Sequence, residues 1–379
     1  MKIAIIDADL VSRSKHRFPN LACMKISGYY KALGNDVELK TCYEKLDQYD
    51  KVFISKVFTD TPVDEHILQL PNVEYGGTGF YFDNAPDLPY EIEHHMPDYH
   101  LYDKYIKECL SNGAKRLNFK YYLDYSIGFL TRGCFRQCAF CINKNYTRVV
   151  KHSPISEFLD PSRKKICLLD DNFFGFSEWK ELLNELKALG KPFQFKQGLD
   201  ERLLTDEKCE LLFSSRYDEE FIFAFDNIAD KKTIEEKAKL IRKYNKHKKH
   251  DIKFYVLCGF DRNNMYDNKF WLQDIKDTFE RIFILAKYNF SPYIMRFEKY
   301  KTSPLYGTYV NLARWCNQPS MFYNCSYMMF CEKSDISICS GKKTSSTWKY
   351  LKELLEEEPN FNKYINTIPK ELVLDYSQW

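Results

Sequence analysis

From residue 123 onward, short apolar runs alternate with amphipathic stretches, and this alternation restricts the chain more than any other feature. YSIGFL (125–130), KKICLLDDNFF (164–174), FQFKQGLD (193–200), EEFIFAFDN (219–227), IKFYVLCGF (252–260) and PYIMRFE (292–298) read as six strands. Between them apolar residues recur at helical spacing, as at Trp179, Leu182, Leu183, Leu186 and Leu189, and again at Trp271, Ile275, Ile282, Phe283 and Ala286. Ser177 is the expected cap of the first of these helices and Gly190 its stop. Thr205 is the expected cap of the next, and a further helix is expected over 231–246. Repeated strand–helix–strand units require parallel pairing with right-handed crossovers. Six units in about 175 residues predict a partial (βα)6 TIM-type barrel, open at one side, because eight units take about 250 residues. In such α/β folds the chemistry gathers at the C-terminal ends of the strands.

The same alternation occurs on a smaller scale at the N-terminus. KIAII (2–6), VELKT (37–41), KVFIS (51–55) and NVEYGGTG (72–79) read as strands, and residues 23–33 as a helix stopped by Gly34. Thr61 followed by Pro62 reads as a helix start. These signals predict a Rossmann-like domain over 1–95, a connecting segment over 96–122, the barrel over 123–304 and a mainly helical C-terminal extension over 305–379. A hydrophobic content of 44% supports cores of this size and excludes a disordered chain. With 56 Lys and Arg against 53 Asp and Glu, the chain is not built as a dedicated polyanion binder. No apolar run approaches the roughly 18–20 residues that span a bilayer. The opening MKIAIIDADLV reads as a strand and not as a signal peptide, so a cytoplasmic location without membrane contact is expected.

Thirteen cysteines are spread along the chain, and only one tight cluster exists among them. It reads Thr131-Arg132-Gly133-Cys134-Phe135-Arg136-Gln137-Cys138-Ala139-Phe140-Cys141, directly after the first barrel strand. Three thiolates on one short loop can hold three corners of an iron–sulfur cubane and leave the fourth iron open for substrate. The residues also admit a Cys3His zinc site with His152, or a dithiol redox pair at Cys138 and Cys141. The spacing matches no zinc pattern, and the pair leaves Cys134 unexplained.

Cys134-x-x-x-Cys138-x-x-Cys141, with the aromatic Phe140 before the last cysteine, resembles the signature of the radical S-adenosylmethionine (SAM) enzymes. The resemblance covers about residues 123–300. It implies a 4Fe–4S cluster on Cys134, Cys138 and Cys141, whose open iron chelates SAM and whose reduced form cleaves it to methionine and a 5′-deoxyadenosyl radical. That radical abstracts hydrogen from the substrate. The resemblance also implies SAM contacts from Phe140 and from Asp171 and Asn172 at the end of the second strand. It implies others from Gln197 after the third strand, Asp226 after the fourth and Gly259 after the fifth, with Arg202 a candidate partner for the SAM carboxylate. An electron donor such as flavodoxin or ferredoxin is implied as well.

The N-terminal domain resembles the cobalamin-binding subclass of that superfamily. Gly76-Gly77-Thr78-Gly79 is similar to its Gly-Gly segment, and Ser55 matches loosely. The subclass motif Asp-x-His-x-x-Gly is missing: the chain reads Asp7-Ala8-Asp9-Leu10-Val11-Ser12 there, with no imidazole, so cobalamin is not expected. His16, His94 and His95 could serve in place of that imidazole. Cys316, Cys325, Cys331 and Cys339 could form an auxiliary cluster or lie in the core. The basic stretch Arg242 to Lys249 reads as a solvated helix end, with nucleic acid as the alternative. The near-neutral charge favours a small-molecule or peptide substrate. Methyl or methylthio transfer to a nucleotide or RNA, and a non-catalytic iron–sulfur or zinc protein, are the competing readings.

Overall fold

KIAIID forms the central strand of the first sheet because every residue after Lys2 is shielded on both faces. The computed structural model describes residues 1–13, 15–245, 251–339, 354–356 and 358–375, the side chains of 335–339 excepted. Strands β1 (Lys2–Asp7), β2 (Asp36–Leu39), β3 (Lys51–Ser55) and β4 (Val73–Gly76) pair in parallel in the order β2-β1-β3-β4. The strand period of two divides β1 between two cores: Ile3 and Ile5 pack on one face, Ala4 and Ile6 on the other. Helix α1 (Leu21–Ala32) covers the first face with Cys23, Met24 and Ile26. It begins two residues earlier than the periodicity suggests, because the Asn20 side chain caps it by accepting from Cys23 N–H at 3.2 Å.

Residues 96–122 contribute to that same core. Tyr99, Leu101, Tyr102, Ile106, Phe119 and Tyr122 pack with Ile3 and Ile5, and part of the segment is helix α2 (Asp103–Ser111). Two ties lead from it into the next sheet. Tyr99 hydroxyl accepts from Ile127 N–H at 2.8 Å and donates to Phe158 C=O at 2.6 Å, and Arg163 donates to Tyr99 C=O at 2.7 Å.

The helix start expected at Thr61 is not there. A single turn, Glu65–Leu68, begins after Asp64, and the Thr61 hydroxyl is drawn to the buried Asp9 carboxylate instead. Ser177 likewise does not cap the helix after the second barrel strand. That helix, α3 (Trp179–Ala188), starts after Glu178 without a side-chain cap and buries Leu182, Leu183 and Leu186. Thr205 does cap α4 (Asp206–Phe213), accepting from Lys208 N–H at 3.3 Å.

All six strands expected beyond residue 123 form. Strands β5 (Tyr125–Gly128), β8 (Lys165–Leu168) and β9 (Phe193–Phe195) make one parallel sheet in that order. Strands β10 (Phe221–Ala224), β11 (Ile252–Cys258) and β12 (Ser291–Arg296) make another. The hydrogen-bond ladders therefore describe two three-stranded sheets where a single barrel wall was expected. Between β5 and β8 lies a short antiparallel pair, β6 (Thr131–Arg132) with β7 (Val150–Lys151). The chain divides into two compact units: Met1–Glu178 with Asn184–Lys196, and Trp179–Leu183 with Gln197 onward.

In the second unit, helix α5 (Lys231–Tyr244) ends on Arg242, which is buried and donates to the carbonyls of Tyr288 at 2.7 Å and Asn289 at 2.9 Å. The expected solvated basic helix end is thus partly a buried anchor; Lys246 to Lys249 lie outside the described residues. Helix α6 (Asn268–Lys287) buries Trp271, Ile275, Phe279 and Ile282. The described residues after 305 are mainly helical, with α7 (Tyr306–Cys316), α8 (Pro319–Asn324) and α9 (Tyr327–Cys339). Among the described residues no helix is long and apolar enough to cross a membrane.

Candidate metal centre

The β6–β7 pair makes residues 133–149 leave and return at one place, and that excursion carries the three clustered cysteines. Gly133 opens it with φ +95°, where a Cβ would strike the Arg148 carbonyl oxygen and come within 2.7 Å of Tyr146 Cβ. Only glycine lets the start of the loop lie so close to its end. Inside the loop Cys141 N–H donates to Cys138 C=O at 3.0 Å, a tight turn between the second and third cysteines. The Lys144 ammonium donates to the same carbonyl, and the Gln137 side chain to Tyr146 C=O. Phe140 lies half-buried within this turn.

Three successive residues beyond β8 hold the loop from outside. Asp170 is buried and accepts from Leu130 N–H at 3.2 Å, Thr131 N–H at 2.7 Å and Thr131 hydroxyl at 2.6 Å. Asp171 accepts from Gly133 N–H at 2.7 Å. Asn172 donates its side-chain amide to Cys134 Sγ at 3.3 Å. Burial pushes the Asp170 carboxyl up to about 7, against the opposing pull of its Thr131 hydrogen bonds.

Two of the sulfurs also receive backbone donors, Cys134 from Arg136 N–H and Cys141 from Asn143 N–H, each at 3.4 Å. N–H groups aimed at sulfur are donors of the kind that surround cluster-ligating sulfurs. All three thiols are partly exposed, as are the isolated Cys42 and Cys109, whereas Cys23, Cys167, Cys209, Cys258, Cys316, Cys325 and Cys331 are buried. This donor set fits an iron–sulfur cluster held through one thiolate per iron. Among the described residues no group of three or more His, Cys, Asp and Glu side chains converges to hold a single metal ion. A cubane makes no such demand, since each thiolate meets a different corner. His152 is engaged away from the thiols: Nε2 lies 3.2 Å from Glu93, Nδ1 lies 3.0 Å from Ser153 Oγ, and the ring stacks on His94. Burial would raise the Glu93 carboxyl, but the hydrogen bond from His152 and the charge of Lys25 bring it down to about 2.

Cys134, Cys138, Cys141, Phe140, Asp171 and Asn172 belong to the first unit, and Gln197, Asp226 and Gly259 to the second. Gln197 is exposed just beyond β9. Asp226 accepts from Leu257 N–H at 3.0 Å, and burial raises its carboxyl. Gly259 N–H donates to Asp274 at 2.8 Å, and a Cβ on Gly259 would meet Tyr300 Cβ at 3.2 Å. Arg202 is held within its own unit by Asp200 at 2.8 Å, Asp230 at 3.5 Å and Glu201 at 3.7 Å.

Three groups escape a reading of the sequence. Asp170 sits at the end of the run Ile166-Cys167-Leu168-Leu169, and an acid placed directly on a buried strand was the available signal. Glu201 gives no signal, because Asp200-Glu201-Arg202 looks like a surface turn. It is nevertheless buried, accepts from Ala224 N–H at 3.3 Å and is pushed by burial up to about 8. Arg281 lies in the apolar face of α6 and donates to the carbonyls of Phe225, Asp226 and Leu257 at 2.9, 2.8 and 2.8 Å, fastening the ends of β10 and β11.

In the N-terminal sheet the residues singled out by the cobalamin resemblance are satisfied by their own domain. Asp9 accepts from Val57 N–H at 2.7 Å and from the Thr61 hydroxyl, while Asp7 accepts from Tyr102 hydroxyl at 2.9 Å and Leu10 N–H at 3.2 Å. A Cβ on Gly77 would strike the Lys56 carbonyl, and one on Gly79 would meet Lys56 Cγ at 2.6 Å. Ser55 Oγ accepts from the Asn20 amide at 2.9 Å. Gly77 and Gly79 thus pack on Lys56, while a Cβ on Gly76 would meet nothing within 4 Å. His16 lies 3.6 Å from Asp7, His94 pairs with Glu157 at 2.8 Å, and His95 meets Met96 C=O at 3.0 Å. In the C-terminal region Cys316, Cys325 and Cys331 are buried, and the Cys325 thiol donates to Met321 C=O at 3.1 Å. The Cys339 side chain lies outside the described residues.

No protein-family model and no curated protein matches the chain. Among solved structures it is similar to the apo, selenomethionine-labelled cobalamin-dependent S-adenosylmethionine radical enzyme OxsB, at 12% identity and a TM-score of 0.36. The match covers 78% of this chain and 49% of that one, so the chain spans about half the length of that enzyme. At this level the likeness assigns no activity to the chain.

Proposed function

We propose that the chain is a radical SAM enzyme in which Cys134, Cys138 and Cys141 hold a 4Fe–4S cluster whose open iron takes SAM. One observation carries the reading: three partly exposed thiols share a glycine-opened loop just past a parallel strand, with N–H donors on the Cys134 and Cys141 sulfurs. When bound and reduced, the cluster supplies the electron that splits the SAM sulfonium into methionine and a 5′-deoxyadenosyl radical.

The protein's own residues do the rest by position. Asp170 anchors the backbone that enters the loop, and Asp171 anchors Gly133. With its carboxylate so engaged, Asp171 would meet the SAM ammonium through its backbone carbonyl. Gln197, Asp226 and Gly259 are the proposed further SAM contacts. Residues 123–304 would form the catalytic core, 1–95 a support without cobalamin, and 305–379 an extension. The near-neutral charge of +3 supports a small-molecule or peptide substrate, with flavodoxin or ferredoxin as electron donor.

Anaerobic reconstitution with iron and sulfide, followed by reduction with SAM, tests this. The expected result is about four iron and four sulfide per chain, as a 4Fe–4S cluster requires, and release of 5′-deoxyadenosine. Reconstituted protein with neither cluster nor product overturns the proposal. Release of S-adenosylhomocysteine as a second product would select methyl or methylthio transfer.

A further inference from the structure

Asn172 reaches the cysteine loop from a different strand end. Its side chain is only 2% exposed, and its amide lies 3.3 Å from Cys134 Sγ. The turn that carries it is fixed on every side. Asp170 and Asp171, just before it, are bound to the backbone of Leu130, Thr131 and Gly133. Phe173 and Phe174, just after it, are buried. Gly175 N–H closes the turn on Asn172 C=O at 2.9 Å, and a Cβ on Gly175 would meet Phe135 at 2.8 Å and Val149 at 2.9 Å, both from the cysteine excursion. The amide is therefore delivered to the sulfur by a packed turn and not by a mobile surface side chain.

We infer that Asn172 is a positioning residue for the cluster: its amide donates to the Cys134 thiolate, orients that sulfur and raises the reduction potential of the iron–sulfur centre. The inference rests on the radical SAM reading above and assigns to Asn172 a role toward the cluster in place of the SAM contact implied by the family resemblance. Reduction adds one negative charge, shared between the cluster and its thiolate sulfurs. An N–H dipole pointed at one of those sulfurs stabilises the more negative state more strongly, so the donor moves the potential upward. The effect is enlarged where water is sparse. The Arg136 N–H acts on the same sulfur at 3.4 Å but belongs to the loop itself, so a side-chain change at 172 alters one donor and leaves the other in place.

The test is a potentiometric titration, followed by electron paramagnetic resonance, of reconstituted full-length protein and its Asn172→Leu variant. Leucine keeps the volume and removes the donor. The variant is expected to load the same iron and sulfide, and at a fixed potential to show about a tenfold lower ratio of reduced to oxidised cluster, or about 59 mV for a one-electron couple. Equal loading with an unchanged ratio overturns the inference and leaves the enzyme reading intact. Wild-type protein that takes up no cluster overturns the enzyme reading and this one with it. Should the leucine variant not fold, wild-type protein labelled with 15N only at asparagine side-chain amides decides the question. Its reduced cluster is expected to show 15N coupling, and absence of that coupling overturns the inference.

Discussion

Two strand ends in the first unit carry the same kind of residues and do different work with them. At the end of β1 stand Asp7 and Asp9, and beyond β8 stand Asp170 and Asp171, and in each place the carboxylates accept hydrogen bonds from neighbouring backbone and hydroxyl groups. At β1 the donors are Leu10, Val57, Thr61 and Tyr102, and Gly77 and Gly79 of the adjoining glycine segment pack against Lys56. At β8 the donors belong to the approach of a loop that keeps three thiols partly exposed. Acids at the end of a parallel strand are therefore fasteners in both places. What distinguishes a candidate reaction centre is the loop they fasten, and only one of the two loops bears soft metal ligands.

The sharpest break of this comparison is a cysteine substitution. Cys138→Ala should abolish cluster absorbance and 5′-deoxyadenosine release, while Cys325→Ala should leave iron and sulfide content unchanged, both read on anaerobically reconstituted protein. Next in size is removal of the fasteners. Asp170→Ala strands the N–H groups of Leu130 and Thr131, each costing about 1–3 kcal/mol when buried and unpaired, and should lower both thermal stability and cluster occupancy. Asp9→Ala takes the acceptor from the buried Thr61 hydroxyl at a similar cost, yet iron content per folded chain should not change. If both variants lose iron alike, the two strand ends are not functionally distinct.

Gly77→Ala sharpens the N-terminal half of the comparison. The residue has φ +103° and faces the Lys56 carbonyl, so a methyl group should destabilise the domain by about 1–3 kcal/mol. Thermal unfolding measures this, and an unchanged midpoint would show the segment to be open. A last effect concerns Glu201, a buried acid in the turn after β9, in the other unit. Burial raises its carboxyl from 4.5 to about 8, so its contribution to stability is full below about pH 4.5 and is lost as pH rises through about 8. Glu201→Gln fixes the neutral form. Its melting temperature should gain on the wild type between pH 5 and 9, and a pH-independent difference would contradict the burial.

The strands were legible because each is an apolar run long enough to cross a sheet, from Lys2–Asp7 to Ser291–Arg296. The cysteine motif was legible as spacing. What holds it was not, because the determinants are partners distant in sequence. β6 and β7 have two residues each, too few for any periodicity. Thr61 looks like a cap because its sequence neighbour is Pro62, but Asp9 lies closer in space and takes its hydroxyl. Asn172 reads as a turn residue until the loop that begins 38 positions earlier folds against it. Arg242 reads as part of a solvated helix end, yet it and Arg281, which the sequence does not single out, are buried against backbone carbonyls at the ends of other elements.

The central claim is that the three thiols leave one iron of the cluster open to SAM. Electron paramagnetic resonance of the reduced, reconstituted protein before and after addition of SAM tests it directly. The account predicts a changed spectrum once SAM's amino and carboxylate groups occupy that iron. A spectrum that is identical with and without SAM would contradict it.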